Sequence, residues 1–231
     1  MLKPLLGGAF MAMATLLAAA PAGATGETPK AADVLFEAKH IADVKPGTEL
    51  VYKFERKASD ETQLGQNFSD DIKIKIESEN PSAPGKKNVL VQVYSGDRAR
   101  DPQRITDMDG NPMVVIYLDN AVAHFMQVAG GDHAYLKNTF SKMLGKDSKV
   151  DPVTIDYKGD KVPGYRITVV PYANDPAKAK MQGYEGATFT IDLSDKIPGY
   201  LAKMVSLYKN SGKGAPTLEE TTTLDGVGGV Q

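Results

Sequence analysis

Between Asp70 and Glu79 the chain reads DDIKIKIESE, with Ile72, Ile74 and Ile76 separated strictly by Lys73 and Lys75. Side chains of an extended strand point alternately to opposite faces. This period therefore sets three β-branched residues against a core and two lysines in water. A half-buried strand fits that pattern, and the lysines also discourage edge-to-edge pairing. The period recurs on either side. Leu50, Tyr52 and Phe54 alternate within Glu49–Arg56, and Val89, Val91 and Val93 share one side of Asn88–Tyr94. The segment between the second and third strands, Glu79–Lys87 (ENPSAPGKK), is turn chemistry throughout. Connections this short cannot make parallel crossovers, so the strands are antiparallel neighbours.

Further strands are expected at Val153–Tyr157, Tyr165–Tyr172, Ala187–Leu193, Tyr200–Tyr208 and Thr217–Leu224. The apolar run Met113–Leu118 (MVVIYL) follows the turn Asp107–Pro112 and reads as a buried strand. Helical spacing appears in four places. Asp33–Val44 has Asp33 as N-cap and Pro46-Gly47 as its stop. Asp119–Ala129 carries Val122, Phe125, Met126 and Ala129 on one face and ends at Gly130-Gly131. Asp132–Leu144 carries Leu136, Phe140, Met143 and Leu144, with Gly145 closing it, and a short helix is expected over Pro176–Gln182. The fold class is α+β and mainly antiparallel β: one curved sheet or open half-barrel, with an inserted helical hairpin and a short N-terminal helix.

The organisation along the chain follows. Lys3, the charge-free run Leu5–Ala20, the break at Pro21 and the small residues of Ala22-Gly23-Ala24 make the pattern of a cleaved signal peptide over 1–24. The run is shorter than the roughly 20 residues a membrane-spanning helix needs. A flexible segment is expected over 25–32, a single β-rich domain over 33–224 and a frayed tail over 225–231. The expected product is soluble and periplasmic. Lys and Arg number 27 against 29 Asp and Glu, a net charge of −2, so no electrostatic reason exists to expect nucleic acid as a partner. There is no cysteine, hence no disulfide, thiol nucleophile or cysteine-based metal site.

Catalytic chemistry finds little to stand on. His40, His124 and His133 form no HxH or HExxH pair, and no metal or cofactor site is expected. Asp107-Met108-Asp109-Gly110-Asn111 lacks the calcium-loop spacing and reads as a turn. Ser206-Leu207-Tyr208-Lys209 matches an SxxK motif, but in a strand these two residues point to opposite faces. No residue is assigned a catalytic role. Were the protein an enzyme, His124, Asp132 and His133 would be the first suspects.

The apolar residues concentrate around the expected hairpin. They either pack it onto the sheet or line a cavity beneath a lid. In the second case the candidate ligand-binding residues are Val115, Tyr117, Val122, Phe125, Met126, Leu136, Phe140 and Met143. The order of signal peptide, N-terminal helix, strands, inserted helices and further strands resembles the LolA/LolB-like lipoprotein-carrier superfamily. Phe54-Glu55-Arg56, Gly110-Asn111-Pro112 and Ile197-Pro198-Gly199 are similar to phrases of exported proteins of Gram-negative bacteria. The resemblance implies an open β-barrel closed by helices around an apolar cavity, with a lipid or a lipoprotein acyl chain as ligand. Three functions stay open: a non-enzymatic carrier of an apolar ligand, a hydrolase-type enzyme, and an envelope interaction protein with no cavity.

Overall fold

Nine antiparallel strands form one open, curved sheet in the computed structural model, which describes residues 28–229. The expected signal peptide and its cleavage site lie outside the described residues. The strands are β1 (Thr48–Ala58), β2 (Phe68–Glu79), β3 (Lys87–Val93), β4 (Gln103–Met108), β5 (Lys149–Tyr157), β6 (Asp160–Val169), β7 (Thr188–Leu193), β8 (Leu201–Lys209) and β9 (Thr217–Gly229). Their order across the sheet is β4-β3-β2-β1-β9-β8-β7-β6-β5. The first and last strands of the domain thus pair at its centre, and β4 and β5 are the edges.

Register gives the sheet one inner face. Ile72, Ile74 and Ile76 stand opposite Val93, Val91 and Val89, while Tyr52 and Leu50 stand opposite Ile72 and Ile74. Beyond β9 the same face continues through Met204, Ile191 and Ile167, all buried. Lys73 and Lys75 lie on the other face and are exposed.

Three helices interrupt the strands: α1 (Glu61–Leu64), α2 (Met113–Ala129) and α3 (His133–Lys146). The run Met113–Leu118 is therefore not a strand but the first half of α2. Its β-branched residues mislead, whereas Met113, Val114, Tyr117, Ala121, Val122, Phe125 and Val128 keep helical spacing and are buried. The Asn111 Oδ1 accepts the Met113 N–H at 3.0 Å, and Pro112 has helical φ of −60°, so the start is fixed by these two residues. Gly130 ends α2 as expected, with φ +74°. Gly145 does not close α3, which runs to Lys146.

Four other expectations change. The N-terminal helix is confined to Asp33–Glu37, and turns carry the chain on to β1. Order begins earlier than Asp33: Ala31 is buried, and the Lys30 carbonyl accepts from Asp33 and Val34. The helix over Pro176–Gln182 shrinks to a 3-10 turn at Lys178–Lys180. The tail is not frayed from Asp225 to Gly229, because β9 continues there beside β1, with Leu50 opposite Val227 and Thr48 opposite Gly229.

Candidate functional site

Helices α2 and α3 fill the middle of the inner face. Phe125 packs on Tyr172 with ring centroids 4.1 Å apart, and Phe140 packs on Phe189 at 4.7 Å. The Tyr208 hydroxyl donates to the Ala121 carbonyl at 3.0 Å, and the Tyr117 hydroxyl to that of Val205 at 2.7 Å. Of the eight candidate ligand residues, Tyr117, Val122, Phe125, Leu136 and Phe140 are buried in this packing. Met143 is half-buried against it. Val115 and Met126 face outward, 53% and 37% exposed. The stripe beneath the hairpin is core.

A charged group sits within that core. Arg56 and Glu220 stand opposite each other on β1 and β9, both buried and ion-paired. Arg56 also donates to the Leu64 carbonyl at 2.5 Å, which satisfies the end of α1. His124 of α2 reaches the other Glu220 oxygen, with Nδ1 at 2.6 Å. Burial pushes the Tyr94, Tyr117 and Tyr208 phenols up, and the Glu220 carboxylate adds to it. The other two enzyme suspects lie elsewhere. Asp132 caps α3 by accepting the Tyr135 N–H at 2.8 Å, and His133 is exposed. Ser206 is buried and Lys209 exposed, on opposite faces of β8 as a strand requires. Among the described residues no three His, Asp or Glu converge to hold a metal ion.

The inner face is open at its β5–β6 end. A cavity of about 590 Å³ lies there, lined by Pro152, Val153 and Thr154 of β5, Pro163, Gly164 and Tyr165 of β6, Leu193 at the end of β7, and Val34 and Ala38 of the N-terminal segment. Register puts Pro152 opposite Tyr165 and Tyr165 opposite Leu193, on the face that carries Ile191 and Phe189. The lining is mostly apolar, and Pro152, Thr154 and Pro163 are exposed within it. Proline is tolerated at Pro152 because β5 is an edge strand. A second cavity of about 360 Å³ adjoins the first and shares Asp195, Lys196 and Tyr200 with it. Its remaining wall includes His40, Asp43, Lys45 and Ile197-Pro198-Gly199.

A buried polar knot holds this end together. The Asn111 amide donates to the Tyr52 hydroxyl and to the Gly199 carbonyl, both at 2.8 Å. The Asn111 N–H donates to His40 Nδ1 at 3.1 Å, so His40 carries its proton on Nε2 and donates it to the Val34 carbonyl at 2.8 Å. Burial pulls the His40 pKa below its ordinary value, against the Val34 hydrogen bond and the Asp109 charge. Gly199 has φ +73°, and a Cβ there would sit 2.6 Å from Leu50 Cδ1. The tripeptides Gly110-Asn111-Pro112 and Ile197-Pro198-Gly199 thus meet, 88 residues apart between Asn111 and Gly199.

Tyr200 follows with φ +65°, in the left-handed region that bulky residues avoid. The Leu201 N–H donates to the Gly199 carbonyl at 2.8 Å, closing a γ-turn centred on Tyr200 of the strained kind. Its ring meets His40 edge-on, centroids 5.3 Å apart. The strained residue is one of the three shared by both cavities. Sequence reasoning missed Val34, Ala38, Pro152, Pro163, Tyr165, Leu193 and Tyr200 as a set. The available signal was two prolines in strand-like runs, where no ladder position favours them.

No protein-family model and no curated protein matches the chain. Among solved structures, the lipoprotein LppX of Mycobacterium tuberculosis is similar at 10% identity and TM-score 0.31, over 82% of this chain and 92% of that one. A LolA superfamily protein from Nitrosomonas europaea is similar at 10% identity and TM-score 0.19, over 86% and 94%. The likeness is weak, as is the LolA-like resemblance carried by the element order. Among the described residues no helix is long and apolar enough to cross a membrane.

Proposed function

We propose that this protein is a non-enzymatic, periplasmic binding or carrier protein for an apolar ligand of the lipid or acyl-chain class, and that the ligand occupies the open end of the inner face. The observation that carries this reading is the cavity of about 590 Å³ between β5, β6 and the N-terminal segment. Its volume falls within the range of roughly 300–1,000 Å³ typical of small-molecule sites. Each buried methylene of a chain placed there contributes about 0.8 kcal/mol. The charged group at Glu220 is self-satisfied by Arg56 and His124 and serves packing rather than chemistry.

Titration of the protein with a fluorescent fatty acid tests the reading. The wild type takes up the probe saturably, one per chain. Ala38→Phe, which projects a ring into the cavity from the exposed side, abolishes uptake while leaving the unfolding midpoint unchanged. Absence of saturable uptake by the wild type overturns the proposal.

A further inference from the structure

The two adjoining cavities differ in chemistry, and the difference specifies a ligand class within the carrier reading, on which this inference rests. The larger one is lined mostly by apolar residues, with Thr154 and Ser194 among them, and by charges only where it meets the smaller. At about 590 Å³ it is the size of a single small-molecule site. The smaller, at about 360 Å³, is about three-fifths as large.

The charges around the smaller cavity are Asp43, Lys45, Asp195 and Lys196, all exposed, with His40 neutral among them. Two carboxylates and two ammonium groups line it together. A carboxylate head would be attracted by the lysines and repelled by the aspartates in equal measure, and so would its opposite. A head carrying both signs can set each charge against its complement. Lys196 pairs only with its neighbour Asp195, at 3.2 Å, and both side chains are mostly exposed, so the pair opens at little cost. Tyr200, on the strained γ-turn, lines both compartments together with Asp195 and Lys196. Backbone strain of this kind persists where surrounding structure enforces it, and it clusters at ligand sites.

We propose that the paired cavities receive a single-chain zwitterionic amphiphile of the lysophospholipid class, with its alkyl chain in the larger cavity, its head in the smaller and its junction across Tyr200. Calorimetric titration of the full chain below the micelle concentration tests this with three probes of equal chain length: palmitoyl lysophosphatidylcholine, palmitate and hexadecanol. The lysolipid is expected to bind about tenfold more tightly than either of the others, the worth of one or two charge-assisted contacts. Replacing the four charges together (Asp43→Asn, Lys45→Gln, Asp195→Asn, Lys196→Gln) is expected to erase that advantage, while hexadecanol still binds. These residues are exposed, so the variant folds as the wild type does. Equal binding of lysolipid and palmitate, or an advantage that survives in the variant, overturns the zwitterionic assignment and leaves the carrier reading standing. Extraction of dipalmitoyl phosphatidylcholine from vesicles with the lysolipid's affinity overturns the single-chain assignment. Failure of all the probes, hexadecanol included, overturns the carrier reading itself.

Discussion

Beneath the helical hairpin the inner face presents Phe189, Met204 and Tyr208 and receives Phe125, Leu136 and Phe140. At the β5–β6 end the same face presents Pro152, Thr154 and Pro163 and receives only Val34 and Ala38. Strand alternation carries inwardness from Ile191 and Ile167 on to Leu193 and Tyr165, although on β5 the buried residue is Ile155, out of phase with Pro152 and Thr154. What differs is the volume of the element laid on top. Two helices cover the first region, and a five-residue helical turn covers the second. A curved open sheet therefore has a filled half and an accessible half, and function is sought in the half that the helices leave.

The contrast can be broken by substitution. The largest effect is expected in the filled half: Phe125→Ala costs about 3–5 kcal/mol, through lost burial and the hole left beside Tyr172. Thr154→Ala, on the open half, stays within about 0.5 kcal/mol. Urea unfolding of the two variants measures both. Next comes Arg56→Met, which leaves the Glu220 carboxylate buried with one partner fewer and costs about 3 kcal/mol. Adding Glu220→Leu recovers most of that loss in the same assay, because a buried pair is worth less than its halves are costly. Asn111→Ala removes the donor to Tyr52 and Gly199 at the boundary between the halves. It is expected to cost about 1–3 kcal/mol and to loosen the N-terminal segment, seen as faster amide exchange at Ile41 and Val44.

The smallest effect is a pH dependence. His40 is held neutral, with its folded-state pKa below the ordinary value near 6.5. The unfolded chain therefore binds more protons than the folded one between those two values. Stability from this group is complete above pH 6.5, declines as pH falls through that window, and levels off below it. Urea midpoints measured across pH 5–7 should show the slope, and a His40→Gln chain should lack it.

The sheet was legible in the sequence wherever one face meets water. Ile72-Lys73-Ile74-Lys75-Ile76 declares both its strand and its register, because burial on one side only leaves a period of two. β4 was not legible: as an exposed edge it offers only Ile105 and Met108 as apolar markers, and their spacing of three is not a strand period. Met113–Leu118 misled because β-branched residues suit strands locally. Its helix is imposed by the Asn111 and Pro112 start and by burial spaced three to four apart. The hairpin's stripe was visible, but a stripe that packs a core and one that lines a cavity have the same period. Only the element opposite separates them. The open site is assembled from β5, β6, the β7–β8 loop and the N-terminal segment, and no local pattern joins residues as distant as Val34 and Leu193.

On the proposed carrier reading the ligand enters the open half and not the hairpin. Methyl-resolved NMR of the protein with a palmitoyl probe tests it most directly, since both halves carry resolved reporters. Intermolecular contacts are expected from the palmitoyl chain to Val34, Ala38, Val153 and Leu193, with Val122, Leu136 and Leu144 unperturbed. Contacts from the probe to Val122, Leu136 and Leu144, with Val34 and Leu193 silent, would contradict it.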